Sequence, residues 1–460
     1  MSAVAAPAAA LSPATLRMLQ GPVMPTLLRM AAPNVLGLFA NTVVIGFDGY
    51  IVGRLGADAL AGVALVLPLA MLMLQMSAGA LGGSTTAAVA RALGAGDAHH
   101  ATRLARHALL LGLAASLVFT LLASGPAFYA AMGARGGVLA QATSYAAVLF
   151  AGASAIWSVN VLTGIVRGTG AMVVAAAALA GTTAMHILLC PVLVFGGGPI
   201  PPLGVAGAAA STVTCNAVAA LALFAWLSRR AAAVRMVGTP WQIHRAAFRS
   251  VLGVALPSAL GPVLSNGAIL VATACVGAFG NLAVAAYGIA ARLEYILVPI
   301  AFGVGSALTA MVATNLGAHQ AVRAKNATWA GAGLVWFVTG AIGLAAALQP
   351  SLWMNLFTAD ATVQAAGSSY LRIVGGTYGF FGLGLALFFA SQGAGRMRWP
   401  LLASTTRLAV VAVGGWFAIH SAHGGPESLY AVIAGGLVTM GVTVAAATWF
   451  ANWDARKRPA

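Results

Sequence analysis

Long apolar runs alternate with short polar gaps along almost the whole chain. The runs lie at about residues 27–53, 59–90, 104–124, 138–160, 170–196, 204–228, 250–275, 282–312, 326–348, 365–390, 400–420 and 430–452. An α-helix needs about 20 apolar residues to cross the hydrocarbon core of a bilayer. The pattern therefore predicts an all-α, polytopic membrane protein with 12 transmembrane helices.

Composition and charge placement agree with this prediction. Hydrophobic residues make up 61% of the chain and charged residues only 7%, against about 25% charged in an ordinary soluble domain. The net charge is +16, but the basic residues lie in the gaps and not on one folded face, so we expect no nucleic-acid binding. All but four of the 23 Lys and Arg residues, namely Arg54, Arg135, Arg292 and Arg372, fall in alternate gaps. The positive-inside rule then predicts cytoplasmic termini.

Pro, Gly and Tyr residues that recur at a nearly constant offset predict an internal repeat. Tyr145 and Gly168 recur as Tyr370 and Gly393 at an offset of 225. Three residues recur at an offset of 224, as the pairs Pro33 and Pro257, Gly53 and Gly277, and Gly56 and Gly280. Two pseudo-symmetric six-helix lobes are predicted, an N-lobe over 25–228 and a C-lobe over 250–452. The remaining segments are a flexible cytoplasmic tail (1–24), an interlobe linker (229–249) and a basic tail (453–460). Parallel repeats of this kind hold substrate between the lobes.

One carboxylate, Asp48, lies in the first apolar run. Asn34 and Asn41 precede it at seven-residue spacing, and because an α-helix drifts only about 20° in seven residues the three form one polar stripe. An ionisable group in lipid costs several kcal/mol, so its presence indicates an ion or substrate pathway. The alternative is a cap at the end of the helix, near Arg54.

Glu294 is a second acid within an apolar run, and Tyr287, seven residues earlier, shares its face. This carboxylate is either a cation-attracting, protonatable group or the partner of Arg292 or Arg372 in a structural pair.

His186 offers two interpretations as well. An imidazole can carry a proton near neutral pH, or it can remain neutral and bond to another helix. The three cysteines, Cys190, Cys215 and Cys275, lie in apolar runs, so we predict neither a disulfide framework nor a metal pair. No metal site is expected at the basic cluster around His99, His100 and His107.

The order and spacing of several short motifs resemble those of the multidrug and toxin extrusion (MATE) family. The motifs are VGRLGADALAG (52–62), ARALGAGDAHHATRLARHA (90–108), VRGTGA (166–171), LGVAGAA (203–209) and a second LGA (316–318). Residues 285–318 look most similar to the DinF-like branch.

This resemblance implies an exporter that exchanges an amphipathic, cationic compound for protons or sodium ions. It implies that Asp48 couples ion and substrate movement and that Tyr145 lines the N-lobe cavity. His186 and Cys190 stand where the family commonly has Asn and Asp, and Asn266 and Phe381 lie near positions where another branch carries acids. A sodium site of several carboxylates is therefore not expected.

We accordingly predict a proton-coupled antiporter, with Asp48, Asn41 and His186 in ion coupling. Substrate binding is assigned to Asp48, Asn34, Tyr145, Glu294 and Tyr287. The expected partners are a small xenobiotic and the lipid of the inner (plasma) membrane, with a monomeric protein and no cofactor. The alternatives are a flippase for lipid-linked glycans and a membrane-embedded enzyme. An enzyme is disfavoured because the non-cytoplasmic gaps are short and carry few charges.

Overall fold

The structure, a computed structural model, describes residues 12–229, 233–238, 241–421 and 424–453, with only the backbone described at residues 41 and 42. Its described residues form helices and connecting turns, and an isolated bridge between Gly197 and Ile200 is the only β-type pairing among them. The all-α prediction is confirmed for the part of the chain that the structure describes.

The first half of the chain contains ten α-helices and one π-helical segment in its described part. They are α1 (Pro13–Gln20), α2 (Val23–Gly53), α3 (Ala57–Leu74), the π-helix (Gln75–Gly82), α4 (Gly83–Gly94), α5 (Ala98–Ala123), α6 (Pro126–Ala131), α7 (Gly136–Ala151), α8 (Ala153–Gly168), α9 (Met172–Phe195) and α10 (Val205–Leu227).

The second half has a similar succession of helices. They are α11 (Arg245–Gly277), α12 (Asn281–Ala290), α13 (Arg292–Gly317), α14 (Ala321–Leu348), α15 (Ser351–Met354), α16 (Ala361–Val374), a 3₁₀ turn (Gly375–Thr377), α17 (Tyr378–Ala394), α18 (Arg398–His420) and α19 (Pro426–Phe450).

Eleven helical segments within the described residues are long and apolar enough to cross a membrane. A twelfth is obtained when α7 and α8, which are bent by 47° relative to each other, are taken as one span. Several spans are interrupted, since α3 continues through the π-helix into α4 and α12 continues past Ala291 into α13. The predicted number of transmembrane helices is confirmed.

Two compact units make up the chain. The first comprises the described residues up to Gly21 together with Ala32–Ala259, and the second comprises Pro22–Ala31 and the residues from Leu260 onward. Helices α2 and α11 each supply residues to both units. The lobe boundaries predicted above, 25–228 and 250–452, remain predictions.

The same helix–helix bond occurs in each unit. In the first unit the Thr86 hydroxyl donates to the Gly164 carbonyl at 2.9 Å, and in the second the Thr309 hydroxyl donates to the Phe389 carbonyl at 2.9 Å. These pairs are related by offsets of 223 and 225 residues, close to those of the sequence repeat. Each unit therefore joins its corresponding pair of helices in the same way.

Glycine permits this close approach. A Cβ atom added to Gly168 would lie 3.1 Å from the Thr86 carbonyl oxygen, and one added to Gly393 would lie 2.6 Å from that of Thr309. Small residues allow helix backbones to approach closely in membranes, where van der Waals packing drives association. Gly168 and Gly393 therefore mark helix contacts, whereas a Cβ atom added to Gly53, Gly56, Gly277 or Gly280 would meet nothing within 4 Å.

Two sequence predictions require correction. Within the predicted flexible tail, α1 is capped by the Ser12 hydroxyl, which accepts from the Thr15 N–H at 3.1 Å, and its Met18 side chain is buried. Arg407, assigned to a cytoplasmic gap, lies well inside α18 and is buried. Most of the basic tail, from residue 454 onward, lies outside the described residues.

Candidate functional site

Asp48 of α2 and His186 of α9 form the centre of the candidate site in the first unit. The His186 Nε2 atom lies 2.7 Å from Asp48 Oδ1, the only ion-pair contact within 4.0 Å among the described residues. The imidazole is 3% exposed and the carboxylate 27% exposed. A buried imidazole thus contacts a carboxylate that remains partly accessible.

The second nitrogen of the imidazole, Nδ1, is bonded to a residue of α10. The Ser211 hydroxyl and His186 Nδ1 are hydrogen-bonded at 3.0 Å, so both ring nitrogens have a partner and the ring orientation is defined. Cys190, one turn after His186 on α9, places its Sγ 3.9 Å from Asp48 Oδ1. Residues four apart share a helix face, which explains why both reach the same carboxylate.

This arrangement allows one proton to be shared between an acid and a base. With the proton on the imidazole, the pair is a carboxylate and an imidazolium. With the proton on Asp48, both groups are neutral. The two forms differ in their charge distribution within a low-dielectric surrounding, where electrostatic interactions are strong. The contact shows that His186 bonds to another helix, and proton transfer through His186 stays a prediction.

The remaining N-lobe predictions are placed differently. Asn34 is completely buried, and its amide Nδ2 donates to Met172 Sδ at 3.3 Å, so it does not border accessible space. The side chain of Asn41 lies outside the described residues. Tyr145 of α7 is buried and lies close enough to Asp48 and Cys190 for electrostatic interaction.

The donor atoms of Asp48, His186 and Cys190 lie within 4.8 Å of one another, and the acid and the imidazole are hydrogen-bonded to each other. That this site holds no metal stays a prediction. At the basic cluster, His107 is engaged at both nitrogens, by the Arg103 carbonyl at 2.7 Å and the His244 N–H at 2.9 Å.

In the second unit, Glu294 lies beside a cluster of tyrosines. The Tyr370 hydroxyl donates to Glu294 Oε1 at 3.2 Å. The ring of Tyr370 packs edge-to-face against Tyr287 at 5.3 Å and against Tyr430 at 5.1 Å between centroids. Glu294 and Tyr287, predicted to share a face, are thus joined through Tyr370.

The structure does not support pairing of Glu294 with Arg292 or Arg372. Both arginines are exposed, and the Arg292 guanidinium lies over the Phe357 ring at 5.6 Å. Residues two apart project from different faces of a helix, so Arg292 lies away from Glu294, which is in the first turn of α13. A carboxylate is favoured there by the helix dipole.

Arg407 is the cation near Glu294, and sequence reasoning missed it. This side chain is 5% exposed and close enough for its charge to act on Glu294. The signal was available, because Arg407 sits within an apolar stretch eight residues after Trp399. Ser211 was also missed, because nothing in the sequence distinguishes it from the neighbouring hydroxyl residues Thr212 and Thr214 of α10.

A family model described as MatE matches the chain twice, over residues 33–192 and 257–417. A protein of Shewanella oneidensis named FAD transporter is 28% identical over 396 residues, covering 81% of this chain and 82% of that protein. The probable multidrug resistance protein NorM of Deinococcus radiodurans is 29% identical over 426 residues, covering 91% and 93%.

Solved structures show the same likeness. A transporter of the MOP superfamily from Pyrococcus furiosus, described as having a binding pocket of reverse polarity, superimposes with a TM-score of 0.87 and 25% identity, covering 95% of this chain and 97% of that one. An outward-facing multidrug resistance transporter of the MATE family superimposes with a TM-score of 0.85 and 26% identity, covering 93% and 95%.

Proposed function

The chain belongs to the MatE family of membrane transporters, and from that premise we propose that it is an antiporter exporting amphipathic, cationic compounds in exchange for protons. Family members are transporters and not enzymes, and the relatives include multidrug exporters. The observation that favours the proton as the coupling ion is the contact between His186 and Asp48.

A shared proton couples to conformation by linkage. Loss of solvation disfavours a charged carboxylate, whereas water or a cationic guest favours it. If the two conformations of the transporter expose Asp48 differently, its proton affinity differs between them, and protonation must shift their equilibrium. Proton entry would then neutralise the pair and weaken its hold on a cationic substrate, which favours release.

Ligand chemistry supports a proton over sodium. Hard cations favour oxygen ligands, whereas imidazole and thiol are softer donors. The candidate site of the first unit offers one carboxylate, Asp48, whose neighbours are the His186 imidazole and the Cys190 thiol. These residues replace an amide and a carboxylate that the family resemblance led us to expect.

A second candidate substrate class is an anionic planar compound. The Shewanella relative is named FAD transporter, and the second unit of this chain carries the buried cation Arg407. The flippase alternative receives less support, because Arg292 and Arg372 are both exposed.

Further features of the proposal concern location and assembly. We propose a monomer in the inner (plasma) membrane with both termini cytoplasmic, supported by the placement of Lys and Arg in alternate gaps. Assignment to the DinF-like branch stays a prediction.

The deciding experiment uses protein reconstituted in vesicles with ethidium as the transported cation. A pH gradient and a sodium gradient are imposed separately, and ethidium movement is followed by fluorescence. We expect movement with the pH gradient alone. Movement with the sodium gradient alone would identify sodium as the coupling ion in place of the proton. Movement with neither gradient would refute gradient-driven export of ethidium.

A further inference from the structure

Arg407 occupies an unusual position for a cation. It is the tenth of the 23 residues of α18, which at 1.5 Å per residue places it about 14 Å from the start of the helix. Its side chain is 5% exposed. A charge at such depth is costly and ordinarily pairs with protein groups or faces a water-filled cavity.

The protein provides little compensation for this charge. Among the described residues Arg407 makes no hydrogen bond, its buried Nε has no partner, and no carboxylate lies within 4.0 Å of it. Its guanidinium carbon lies 5.8 Å from the centre of the Phe381 ring. A cation–π contact stabilises the charge but leaves its N–H donors unused.

The nearby carboxylate has another partner. Glu294 accepts from the Tyr370 hydroxyl, and Arg407 acts on it only through space. The second unit therefore keeps an acid and a base close together without an ion pair between them. Such a separation leaves both charges available to a molecule that enters the site.

We propose that Arg407 binds an acidic group of the substrate, so that the second unit accepts amphipathic compounds bearing a carboxylate or a phosphate. This inference rests on the proposed function and narrows its substrate class. A guanidinium presents its donors in a planar fork that matches the oxygens of either group. Glu294 receives the cationic group of substrates that carry both charges.

The neighbouring side chains suit the rest of such a molecule. Buried aromatic rings lie beside the two charged groups, since Tyr370 packs against Tyr287 and donates to Glu294, and Phe381 lies next to the Arg407 guanidinium. Aromatic faces and edges pack against planar rings and leave the polar ends free to bond. The proposed site thus has a charged group of each sign next to aromatic rings.

The test uses two pairs of fluorescent probes, each differing in one acidic group. The first pair is a fluoroquinolone acid and its ethyl ester, and the second is flavin mononucleotide and riboflavin. Binding of each to the purified full chain in lipid nanodiscs is titrated by fluorescence for the wild type, Arg407→Gln and Arg407→Lys. The control is Arg372→Gln, which removes an exposed arginine of the same unit.

We expect the wild type to bind at least one acidic probe about tenfold more tightly than its partner without the acid. Arg407→Gln should abolish this preference, Arg407→Lys should retain part of it, and Arg372→Gln should leave it unchanged. A preference limited to the carboxylate or to the phosphate pair identifies which acid is recognised.

Two results would overturn the inference: no acid preference in the wild type, or equal weakening of both members of a pair by Arg407→Gln. The second is the behaviour expected of a purely structural arginine. If Arg407→Gln fails to fold, the acid preference of the wild type and the size of that preference in Arg407→Lys still test the inference. Gradient-driven ethidium movement is measured separately. Loss of the acid preference alone would leave the proposed function intact, and loss of ethidium movement alone would leave this inference intact.

Discussion

His186 Nε2 lies 2.7 Å from Asp48 Oδ1, joining residues that are 138 positions apart in the sequence. The contact links α2 to α9, and Ser211 extends it to α10 at 3.0 Å. A change in the protonation of either group would alter a bond between helices, which is the physical basis of the proton coupling proposed above.

Asp48→Asn should abolish export driven by a pH gradient. The amide is nearly isosteric with the protonated acid but cannot ionise, so the proton-dependent change in charge is lost. Insertion and thermal stability should change little, as measured by membrane yield and melting temperature. Asp58→Asn, which alters an exposed acid at the start of α3, is the control and should transport normally. Full pH-driven export by Asp48→Asn would mean that another group couples the proton.

His186→Gln should reduce pH-driven export less than Asp48→Asn does. The glutamine amide can still donate a hydrogen bond to Asp48. The substitution removes the second group that can carry a proton, so the pH dependence of the transport rate should change shape. The measurement is the initial rate of export in vesicles across a series of pH values. An unchanged pH profile would show that His186 serves only to hold the helices together.

Glu294→Gln should weaken binding of cationic substrates more than it weakens coupling. It removes a negative charge from the second unit while keeping an acceptor for the Tyr370 hydroxyl. We expect the dissociation constant of ethidium to rise about tenfold, as for loss of one charge-assisted contact. Tyr370→Phe keeps the charge and should have a smaller effect. Equal loss of coupling in Glu294→Gln and Asp48→Asn would contradict this division of roles.

Gly168→Ala and Gly393→Ala should destabilise the two units similarly. The added methyl groups would lie 3.1 Å and 2.6 Å from carbonyl oxygens of the facing helices, and such overpacking costs about 1–3 kcal/mol. Melting temperature in detergent is the measurement. Gly181→Ala and Gly333→Ala are matched controls, because a Cβ at either helical position meets nothing within 4 Å. Equal melting temperatures for all four variants would refute the packing role.

A reporter fused after Arg458 should be cytoplasmic, since nearly all basic residues lie on one side of the predicted spans. A cysteine introduced at Gly198, in the turn between α9 and α10, should react with an impermeant thiol reagent from the opposite side. A periplasmic reporter would reverse the proposed orientation.

The sequence by itself determined the number of membrane spans, the all-helical class and the internal repeat. Hydropathy is a property of about 20 consecutive residues, so the bilayer selects these segments whatever lies beside them. Among the repeated glycines, Gly168 and Gly393 have a physical reason in packing, because the close helix approach at these positions admits no larger side chain. Asp48 stood out for the same local reason, as an acid in an apolar run.

Only the tertiary structure decided which polar groups meet. Asp48 contacts His186 and Glu294 lies near Arg407, whereas the arginines closest to Glu294 in sequence or predicted depth are exposed. In an apolar helix, hydropathy is similar on all faces, so the direction of a polar side chain is decided by packing against other helices.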